Sequence, residues 1–571
     1  MNIQPYPNQQ EIIDTVISEA DSTDVYAIDA PTGSGKTILA LFSAKGLGSG
    51  NITTPLRTLS RQYAHELETK FSNDDLGKMV MGRGAYPCPY LQTKEKPIPD
   101  ATADGAPCVD SKAHYQWNGQ NLKECPFKKT TCPYYSAVRE AKKSQTVVST
   151  FHYYMHGINP KISEEEGDPS DDREWSRKNA LIIDEAHNLP AIFSDFFKIE
   201  ASRKSLPDFD YDTLYNTVMQ QKMNSADALK LFQQMFTEYL NMHTQTLQQM
   251  LYTWEQFWMD MNPSNLKDED GNYVDDRVYE KRIIKQRKLV YRLNFIKTQM
   301  EREDVEWIFY TDQDGMYWKP YSPAPFLEDI WSKFQHIIFM SATLFNVPLY
   351  IKLLGLDSRK SKFLKMDSTF DPSKGKIFFP GKLWLKKDNF DETIDGVIKL
   401  IQDIADRYST ESGIIHAFSR KYKEAIYERA PPDLKRRLIT HTSNDRTQML
   451  DEFMDSPKGT IFLTMNMGEG LDLKDDLSRW QIIVKAPFMP IGDPWIKAHM
   501  DREKGWYDSQ TITQILQMCG RIVRSKDDWG DTYIIDQNAY AVLKRNWSLL
   551  PKWFTDRIRA GQESELSILD L

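Results

Sequence analysis

The sequence lacks the features of a membrane or secreted protein. No apolar run approaches the ~18 residues of a membrane-spanning helix. The first residues, MNIQPYPNQQEII, contain neither a basic segment nor a small-residue cleavage site, so a secretory signal peptide is not expected. Internal repeats and low-complexity tracts are absent as well. We therefore expect a cytoplasmic protein with no membrane partner.

An excess of positive charge is also absent. The 571 residues include 72 Lys and Arg against 81 Asp and Glu, which gives a formal net charge of -9. This balance does not exclude a nucleic-acid partner, because phosphate is attracted by local basic surface rather than by total charge. At about 150 residues per domain, the length predicts three or four domains.

Cysteine is scarce but clustered. Four of the five cysteines, Cys88, Cys108, Cys125 and Cys132, lie within 45 residues, where random placement would put about 0.4. A reducing cytoplasm disfavours disulfides, and the cluster contains none of the close cysteine pairs that are typical of structural zinc sites. Four thiolates fit a [4Fe–4S] cluster. From spacing alone, iron–sulfur and zinc both remain open, whereas Cys519 stands alone and is interpreted as a small buried residue.

Short apolar, β-branched runs alternate with helical patterns along the chain. This alternation predicts buried parallel strands in two doubly wound α/β domains. The predicted strands are residues 24–30, 147–151, 180–184, 336–341, 413–418, 460–464, 481–485 and 532–536. Two stretches interrupt the pattern: 81–144 is predicted to be loop-rich, and 201–302 is predicted to be helical. The helical stretch has a basic face, which is either solvated or in contact with phosphate, formed by Lys281, Lys285, Lys288 and Arg292.

The strongest local motif is APTGSGKT, from Ala30 to Thr37, between a strand pattern and a helix pattern. It predicts a P-loop, in which Lys36 reaches the β- and γ-phosphates and the Thr37 hydroxyl holds Mg²⁺. Ala30 replaces the first glycine of the strict pattern. The backbone around the phosphates would come from Thr32, Gly33, Ser34 and Gly35.

A second motif, DEAH, follows the strand-like ALIID. A carboxylate at the end of a buried strand can hold Mg²⁺, and its neighbour can activate water. We therefore expect Asp184 to bind the metal and Glu185 to act as the base; the alternative is an acidic pair that caps a helix. Further downstream, Arg521 and Arg524 either point at one γ-phosphate as arginine fingers or form a surface pair.

The ordered set of motifs resembles a superfamily 2 helicase. The set is YPNQ (6–9), APTGSGKT (30–37), TTPLRTLSRQ (53–62), DEAH (184–187), SAT (341–343), GEGLD (468–472) and QMCGRIVR (517–524). The DEAH box, MGRGAYPC and CPYYSAVREA narrow the resemblance to the DinG/XPD-like helicases. It implies an α/β protein with two RecA-like motor domains and two inserts in the first. The implied ranges are 1–80, 145–200 and 303–372 for motor domain 1, 81–144 for an iron–sulfur insert, 201–302 for a helical Arch-like insert, and 373–571 for motor domain 2.

The resemblance also implies roles for single residues. Gln9 would read the adenine, and Thr343 would couple hydrolysis to motion. Asp472, Gln517, Arg521 and Arg524 would complete an ATP site between the motor domains. The four clustered cysteines would hold a [4Fe–4S] cluster that staples the loop-rich insert.

The expected function is that of an ATP-dependent DNA helicase which binds ATP and Mg²⁺ and moves 5′→3′ on single-stranded DNA. Its partners would be single-stranded DNA and junctions of single- and double-stranded DNA, and we expect a monomer. The P-loop begins at Ala30, which leaves no room before it for the exonuclease of some relatives, so nuclease activity is not expected. Two alternatives stay open: an RNA-directed remodelling ATPase, and a redox or scaffold role of the metal insert beside a vestigial motor.

Overall fold

The computed structural model describes most of the chain. The described residues are 4–31, 33–55, 57–70, 77–93, 100–106, 108, 115–117, 120–122, 124–158, 178–260, 266–267, 271–344, 346–368, 370–442, 445–465, 475–523 and 528–559. In this part of the chain, no helix combines the length and the apolar character needed to cross a membrane.

The described residues form the following strands, given in chain order. They are β1 (Val25–Asp29), β2 (Gly50–Thr54), β3 (Lys78–Met79), β4 (Tyr115–Trp117), β5 (Gln120–Leu122), β6 (Thr146–Thr150), β7 (Ala180–Asp184), β8 (Ile199–Ser202), β9 (Trp307–Thr311), β10 (Gly315–Pro320), β11 (His336–Ser341), β12 (Ser361–Lys365), β13 (Ile377–Phe378), β14 (Gly413–His416), β15 (Leu438–Thr440), β16 (Ile461–Thr464), β17 (Trp480–Ile483) and β18 (Asp531–Ile534).

The helices of the same residues alternate with these strands. They are α1 (Pro7–Ser18), α2 (Lys36–Gly46), α3 (Arg57–Lys70), α4 (Pro89–Thr93), α5 (Pro133–Lys143), α6 (Phe151–Ile158), α7 (Leu189–Phe196), α8 (Tyr211–Gln220), α9 (Ser225–Asp260), α10 (Asp276–Met300), α11 (Ala324–Trp331), α12 (Val347–Leu353), α13 (Phe390–Arg407), α14 (Arg420–Arg429), α15 (Pro432–Arg437), α16 (Arg446–Met454), α17 (Pro494–Arg502), α18 (Trp506–Cys519), α19 (Gln537–Arg545) and α20 (Lys552–Thr555).

Two parallel sheets form the framework of the molecule. The first has the order β12-β1-β11-β7-β2-β6-β3 and the second the order β13-β18-β17-β14-β16-β15, and every pairing within them is parallel. Their central strands are buried, because helices cover both faces of such sheets. The α/β prediction is confirmed, and each predicted strand is present.

The chain between β7 and β11 adds a helical unit to the first sheet. The long helices α9 and α10 pack against each other and over a three-stranded antiparallel sheet, β8-β10-β9. Phe232 of α9, Leu293 of α10 and Trp318 of β10 are fully buried in one shared core. The predicted helices are therefore present, whereas the small sheet beneath them was not predicted. The boundaries of the domains remain a prediction.

The second parallel unit contacts the helical unit through α17. The indole N–H of Trp495 donates to the carbonyl of Pro320 at 2.9 Å, and the His499 ring bonds the carbonyl of Tyr321 at 2.9 Å. His499 is fully buried and stacks between the rings of Tyr321 and Trp506. Burial lowers the pKa of His499 to about 4, so this contact is made by a neutral ring.

Candidate nucleotide-binding site

The candidate nucleotide residues follow three neighbouring strands of the first sheet. β1 leads into the P-loop, β7 ends at Asp184, and β11, which lies between them, ends at Ser341. Because the carboxyl ends of adjacent parallel strands share one edge of a sheet, the loops that follow them meet. The motifs predicted from sequence are therefore brought together by the strand order.

The P-loop has the backbone shape that its glycines allow. Gly33 and Gly35 both have φ of 77°, in the left-handed region that glycine adopts without strain. A Cβ added to Gly35 would also collide with the side-chain amide of Gln9. Helix α2 begins at Lys36, so its N-terminal N–H groups point toward the position that a phosphate would occupy.

Gln9 is fully buried beneath this loop. Its Nε2 donates to the carbonyl of Ser34 at 2.7 Å, and its Oε1 accepts from the backbone N–H of Tyr6 at 2.7 Å. The side chain therefore fastens the start of the chain to the P-loop. Its expected contact with adenine remains a prediction.

Lys36 and the two DEAH carboxylates form one charged group. Lys36 Nζ lies 3.3 Å from Glu185 Oε1. Burial lowers the pKa of Lys36, but Glu185 and Asp184 outweigh it, and the net pKa is raised. Burial raises the pKa of Glu185, but the charge of Lys36 outweighs it and the net pKa is lowered, whereas for Asp184 burial dominates and the pKa is raised. At neutral pH the charged Lys36–Glu185 pair is thus the favoured state.

Tyr63 is a member of this site that the sequence reasoning missed. Its hydroxyl donates to Asp184 Oδ2 at 2.9 Å, and its ring is completely buried. Leu59, Tyr63 and Leu67 repeat at four-residue spacing along α3, which is the pattern of a helix face that packs into a core. That spacing predicts a core residue, and nothing in the sequence reveals the hydrogen bond to Asp184.

The DEAH segment also joins the two parallel units. Glu185 has φ of 52°, a conformation that is uncommon for a non-glycine residue and that occurs at functional sites. The following His187 places Nδ1 3.1 Å from the hydroxyl of Ser341, and its Nε2 contacts the side-chain amide of Gln517 from α18. Because His187 Nδ1 also lies 3.5 Å from Glu185 Oε2, polar contacts through His187 connect Glu185 of the first unit with α18 of the second.

Arg521 follows the end of α18 and faces the same group. Its positive charge opposes the raised pKa of Lys36 and adds to the lowering of the pKa of Glu185. Thr37 lies in the first turn of α2, and Thr343 is buried with its hydroxyl unbonded in the described structure. The expectations for Thr32, Asp472 and Arg524 concern positions outside the described residues.

Comparisons with known proteins identify the family. A protein-family model described as DEAD_2 matches residues 59–206, and one described as Helicase C-terminal domain matches residues 405–557. The ATP-dependent DNA helicase YoaA of Haemophilus influenzae is 23% identical over an alignment of 625 residues, which covers 95% of this chain and 92% of YoaA. The chain belongs to the DinG/XPD-like superfamily 2 helicases. The family that the motifs resemble is therefore confirmed.

Other relatives of this DinG/XPD-like chain match shorter stretches. The ATP-dependent DNA helicase DinG of Shigella flexneri is 25% identical over 243 residues, or 38% of this chain, and the match spans about a third (32%) of DinG.

A solved structure of an XPD helicase superposes with a TM-score of 0.58 at 16% identity, covering 96% of this chain and 98% of the other. This likeness confirms the fold, with two RecA-like domains.

The four clustered cysteines of the DinG/XPD-like chain converge in the structure. Cys88 is buried with Tyr90 and Leu91, and Cys108 and Cys125 pack against the same small cluster. All are free thiols, and Cys132 directly precedes α5. Burial, with smaller contributions from the neighbouring cysteines, raises the pKa of Cys88 to about 11 and that of Cys125 to about 12.

Four cysteine thiols are suitable ligands for a thiolate-bound metal cluster, but the structure does not place them at metal-binding distances. Cys108 and Cys132 raise the pKa of Cys88, and Cys88, Cys108 and Cys132 raise that of Cys125. Arg83 donates to Cys108 Sγ at 3.2 Å and to the Tyr135 hydroxyl at 3.1 Å. Among the described residues, no three His, Cys, Asp or Glu side chains stand close enough to hold a metal ion as placed. The iron–sulfur cluster therefore remains a proposal.

Proposed function

We propose that this chain is an ATP-dependent DNA helicase that moves 5′→3′ along single-stranded DNA and separates the duplex ahead of it. The observation that carries the proposal is the buried contact of His187, in the DEAH segment beside the Lys36–Glu185 pair of the first motor domain, with Gln517 of the second. The names of DinG and YoaA, both ATP-dependent DNA helicases, support the same activity.

We infer a separate task for each of these residues. The P-loop backbone and Lys36 bind the phosphates of ATP. Thr37 and Asp184 would hold Mg²⁺, which would neutralise charge on the phosphate oxygens. Lys36 exchanges its contact with Glu185 for the phosphates, and Glu185 then orients the attacking water. Because Arg521 comes from the other domain, its contact with the γ-phosphate draws the domains together, and hydrolysis releases them.

The two inserts supply the place where strands separate. We infer that the four cysteines hold a [4Fe–4S] cluster, which staples an insert that has only a small apolar core of its own. Lys288 of α10 lies 3.6 Å from Asp104 of the cysteine-bearing insert, so the two inserts touch. Arg292 bonds the carbonyl of Ser205, so two of the four residues in the basic face contact protein groups. The insert ranges 81–144 and 201–302 remain predictions.

A tailed-duplex assay tests the direction of movement. With ATP and Mg²⁺, we expect unwinding of a duplex that carries a 5′ single-stranded tail and no unwinding of one that carries only a 3′ tail. The expectation rests on membership in the DinG/XPD-like family. A preference for the 3′ tail would overturn the proposed polarity, and blunt duplex provides the baseline.

The alternatives are separated by stimulation of ATP hydrolysis. Single-stranded DNA should raise the ATPase rate above that with single-stranded RNA of the same sequence, since a contact that depends on the 2′-OH distinguishes the two. Stimulation by RNA alone would favour the remodelling ATPase. An ATPase that responds to neither polymer would favour a scaffold role beside a vestigial motor.

Replacing Tyr63 with phenylalanine tests the unpredicted bond to Asp184. The ring stays in the core, and only the hydroxyl that orients the carboxylate is lost. Groups that orient a metal ligand typically contribute about 10- to 100-fold to metal affinity or activity. We expect a loss of that size in kcat or in the affinity for Mg²⁺, measured by titrating Mg²⁺ in the ATPase assay.

Tyr154 provides the matched control for this substitution. It is also fully buried, and its hydroxyl accepts from Asn51 at 3.3 Å rather than touching the DEAH carboxylates. Tyr154→Phe should leave the Mg²⁺ titration unchanged. Equal losses in the two variants would mean that Tyr63 acts only through packing.

Replacing Arg521 with alanine tests the contact between the motor domains. An arginine finger contributes about 10³-fold or more to kcat, because its charge stabilises the transition state of phosphoryl transfer. We expect a loss of that order in steady-state ATP hydrolysis, whereas Arg545→Ala, which removes a surface pair with Asp508, should have little effect. A change confined to KM would contradict the role, because it indicates loss of ground-state binding.

A further inference from the structure

An exposed tryptophan among lysines lies on the second motor domain. Trp384 has 49% of its surface exposed, and it follows the short edge strand β13. We define the Trp384 patch as the exposed side chains of Lys382, Trp384, Lys386, Lys387 and Lys421. None of these residues belongs to the nucleotide site described above.

The loop that carries Trp384 is held firmly by its neighbours. Leu385 is buried, and its N–H donates to Asp536 Oδ1 at 3.2 Å. Asn389 Nδ2 donates to the carbonyl of Trp384 at 2.7 Å, and Asn389 Oδ1 accepts from the N–H of Lys386 at 2.8 Å. On the other side of Trp384, the carbonyl of Leu383 accepts from the N–H of Gln537 at 2.9 Å. Exposure of the indole therefore does not come from a loose segment, because the backbone on both sides of it is bonded to the domain.

The same bonds bring separate loops together at one edge of the second sheet. Asp536 follows β18, and its other oxygen accepts from the N–H of Ala486, which follows β17. Lys421, in the first turn of α14 after β14, places Nζ 3.7 Å from the centre of the Phe390 ring. The patch thus lies at the carboxyl ends of the parallel strands, where α/β domains bind ligands.

The charges of the patch are not neutralised by the protein. In the part of the chain that the structure describes, none of the four lysines forms an ion pair with an acidic side chain. The acidic residues nearest along the chain to the three loop lysines are Asp388, Asp391 and Glu392, of which the last two lie in the first turn of α13, where the positive end of the helix favours them. Glu424 lies three residues after Lys421 on α14. The positive charge of the four lysines is therefore available to bind an anion.

An exposed indole among unpaired cations selects a particular kind of ligand. A small anion would use the lysines but not the ring, and an apolar peptide would use the ring but not the lysines. A single-stranded nucleic acid uses both, because each base offers a flat face and each linkage offers a phosphate. Movement along a strand also requires that each motor domain binds the strand. If only one domain binds it, closing the cleft between the domains does not shift the strand relative to that domain.

We propose that the Trp384 patch binds single-stranded DNA on the second motor domain, with Trp384 stacked on a base and the lysines on the flanking phosphates. This inference rests on the proposed helicase function and adds a residue-level contact to it. Base stacking on an aromatic side chain is sequence-tolerant, which suits an enzyme that must pass any base.

The test measures the affinity of the full chain for an oligothymidylate, without nucleotide, for wild type and Trp384→Ala. Stacking losses of this kind correspond to roughly 5- to 100-fold weaker binding. Trp384→Phe should restore most of the affinity, because it keeps an aromatic face. The control is Trp547→Ala, which removes an indole of similar exposure (44%) beyond the far end of α19.

An abasic strand of the same length separates stacking from other effects. Trp384→Ala should weaken binding of the thymine strand and leave binding of the abasic strand unchanged, and equal losses on both strands would overturn the stacking contact. Replacing Lys382, Lys386 and Lys387 together with Gln should lower the log–log salt slope by about two, at roughly 0.7 per phosphate contact. An unchanged slope would overturn the phosphate contacts.

The proposed function and this inference fail in different ways. A wild-type protein that neither binds single-stranded DNA nor unwinds a tailed duplex would overturn the helicase function itself. A wild-type protein that does both, while Trp384→Ala binds and unwinds as well as Trp547→Ala, would overturn only the patch. Basal ATP hydrolysis should be equal in both variants, because both residues lie outside the nucleotide site.

Discussion

Replacing Lys36 with alanine is expected to abolish ATP hydrolysis and to leave the affinity for single-stranded DNA nearly unchanged. Lys36 Nζ is the positive charge at the start of α2, and it lies 3.3 Å from Glu185 Oε1. Removing a charge placed on the transferred phosphate costs at least about 10²- to 10³-fold in kcat. The measurement is steady-state ATP hydrolysis with saturating DNA, together with DNA binding by fluorescence anisotropy.

Lys45, in the last turn of the same helix, is the matched control. It is exposed and distant from the P-loop, so Lys45→Ala should hydrolyse ATP at the wild-type rate. The variant without Lys36 also leaves Glu185 without its cation, so its folding should be checked by thermal unfolding. Turnover of Lys36→Ala near wild type in a folded protein would contradict the P-loop assignment.

The strand order explains why so much of this fold was predictable. Strands such as ALIID (180–184) are buried on both faces, so their sequences are continuously apolar and easy to recognise. β2 has the sequence GNITT and is equally buried, but its polar composition hides it. The edge strand β12 alternates exposed and half-buried residues, and β8 to β10 form a small antiparallel sheet at the base of the helical unit. Pattern alone did not predict these strands.

The candidate site was predictable only as far as its motifs reach. Lys36, Glu185 and Arg521 belong to short motifs whose chemistry fixes their residue types, and the structure brings them together. Tyr63 and Ser341 act through hydrogen bonds that depend on which strands and helices become neighbours. Contacts of that kind join residues more than a hundred positions apart, so the sequence gives no local sign of them.

The stability of the cysteine-bearing insert is expected to depend on the metal cluster that its four cysteines bind. Replacing Cys88 with serine is expected to remove the absorbance at about 400 nm that is generic for iron–sulfur proteins. Cys88 is buried beside Cys108 and Cys125 with little other core, so loss of one thiolate should also loosen residues 81–144. The first effect is measured by the absorbance of protein purified without oxygen. The second is measured by limited proteolysis.

Unwinding should fall further than basal ATP hydrolysis in this variant, because the cysteines lie outside the P-loop and the DEAH segment. The control is Cys519→Ala, which changes a buried thiol at the end of α18 and should keep both the colour and the unwinding. A colourless wild-type protein that contains stoichiometric zinc after anaerobic purification would refute the iron–sulfur assignment. It would leave the four-thiolate site intact, because the same buried cysteines would then bind zinc and staple the insert.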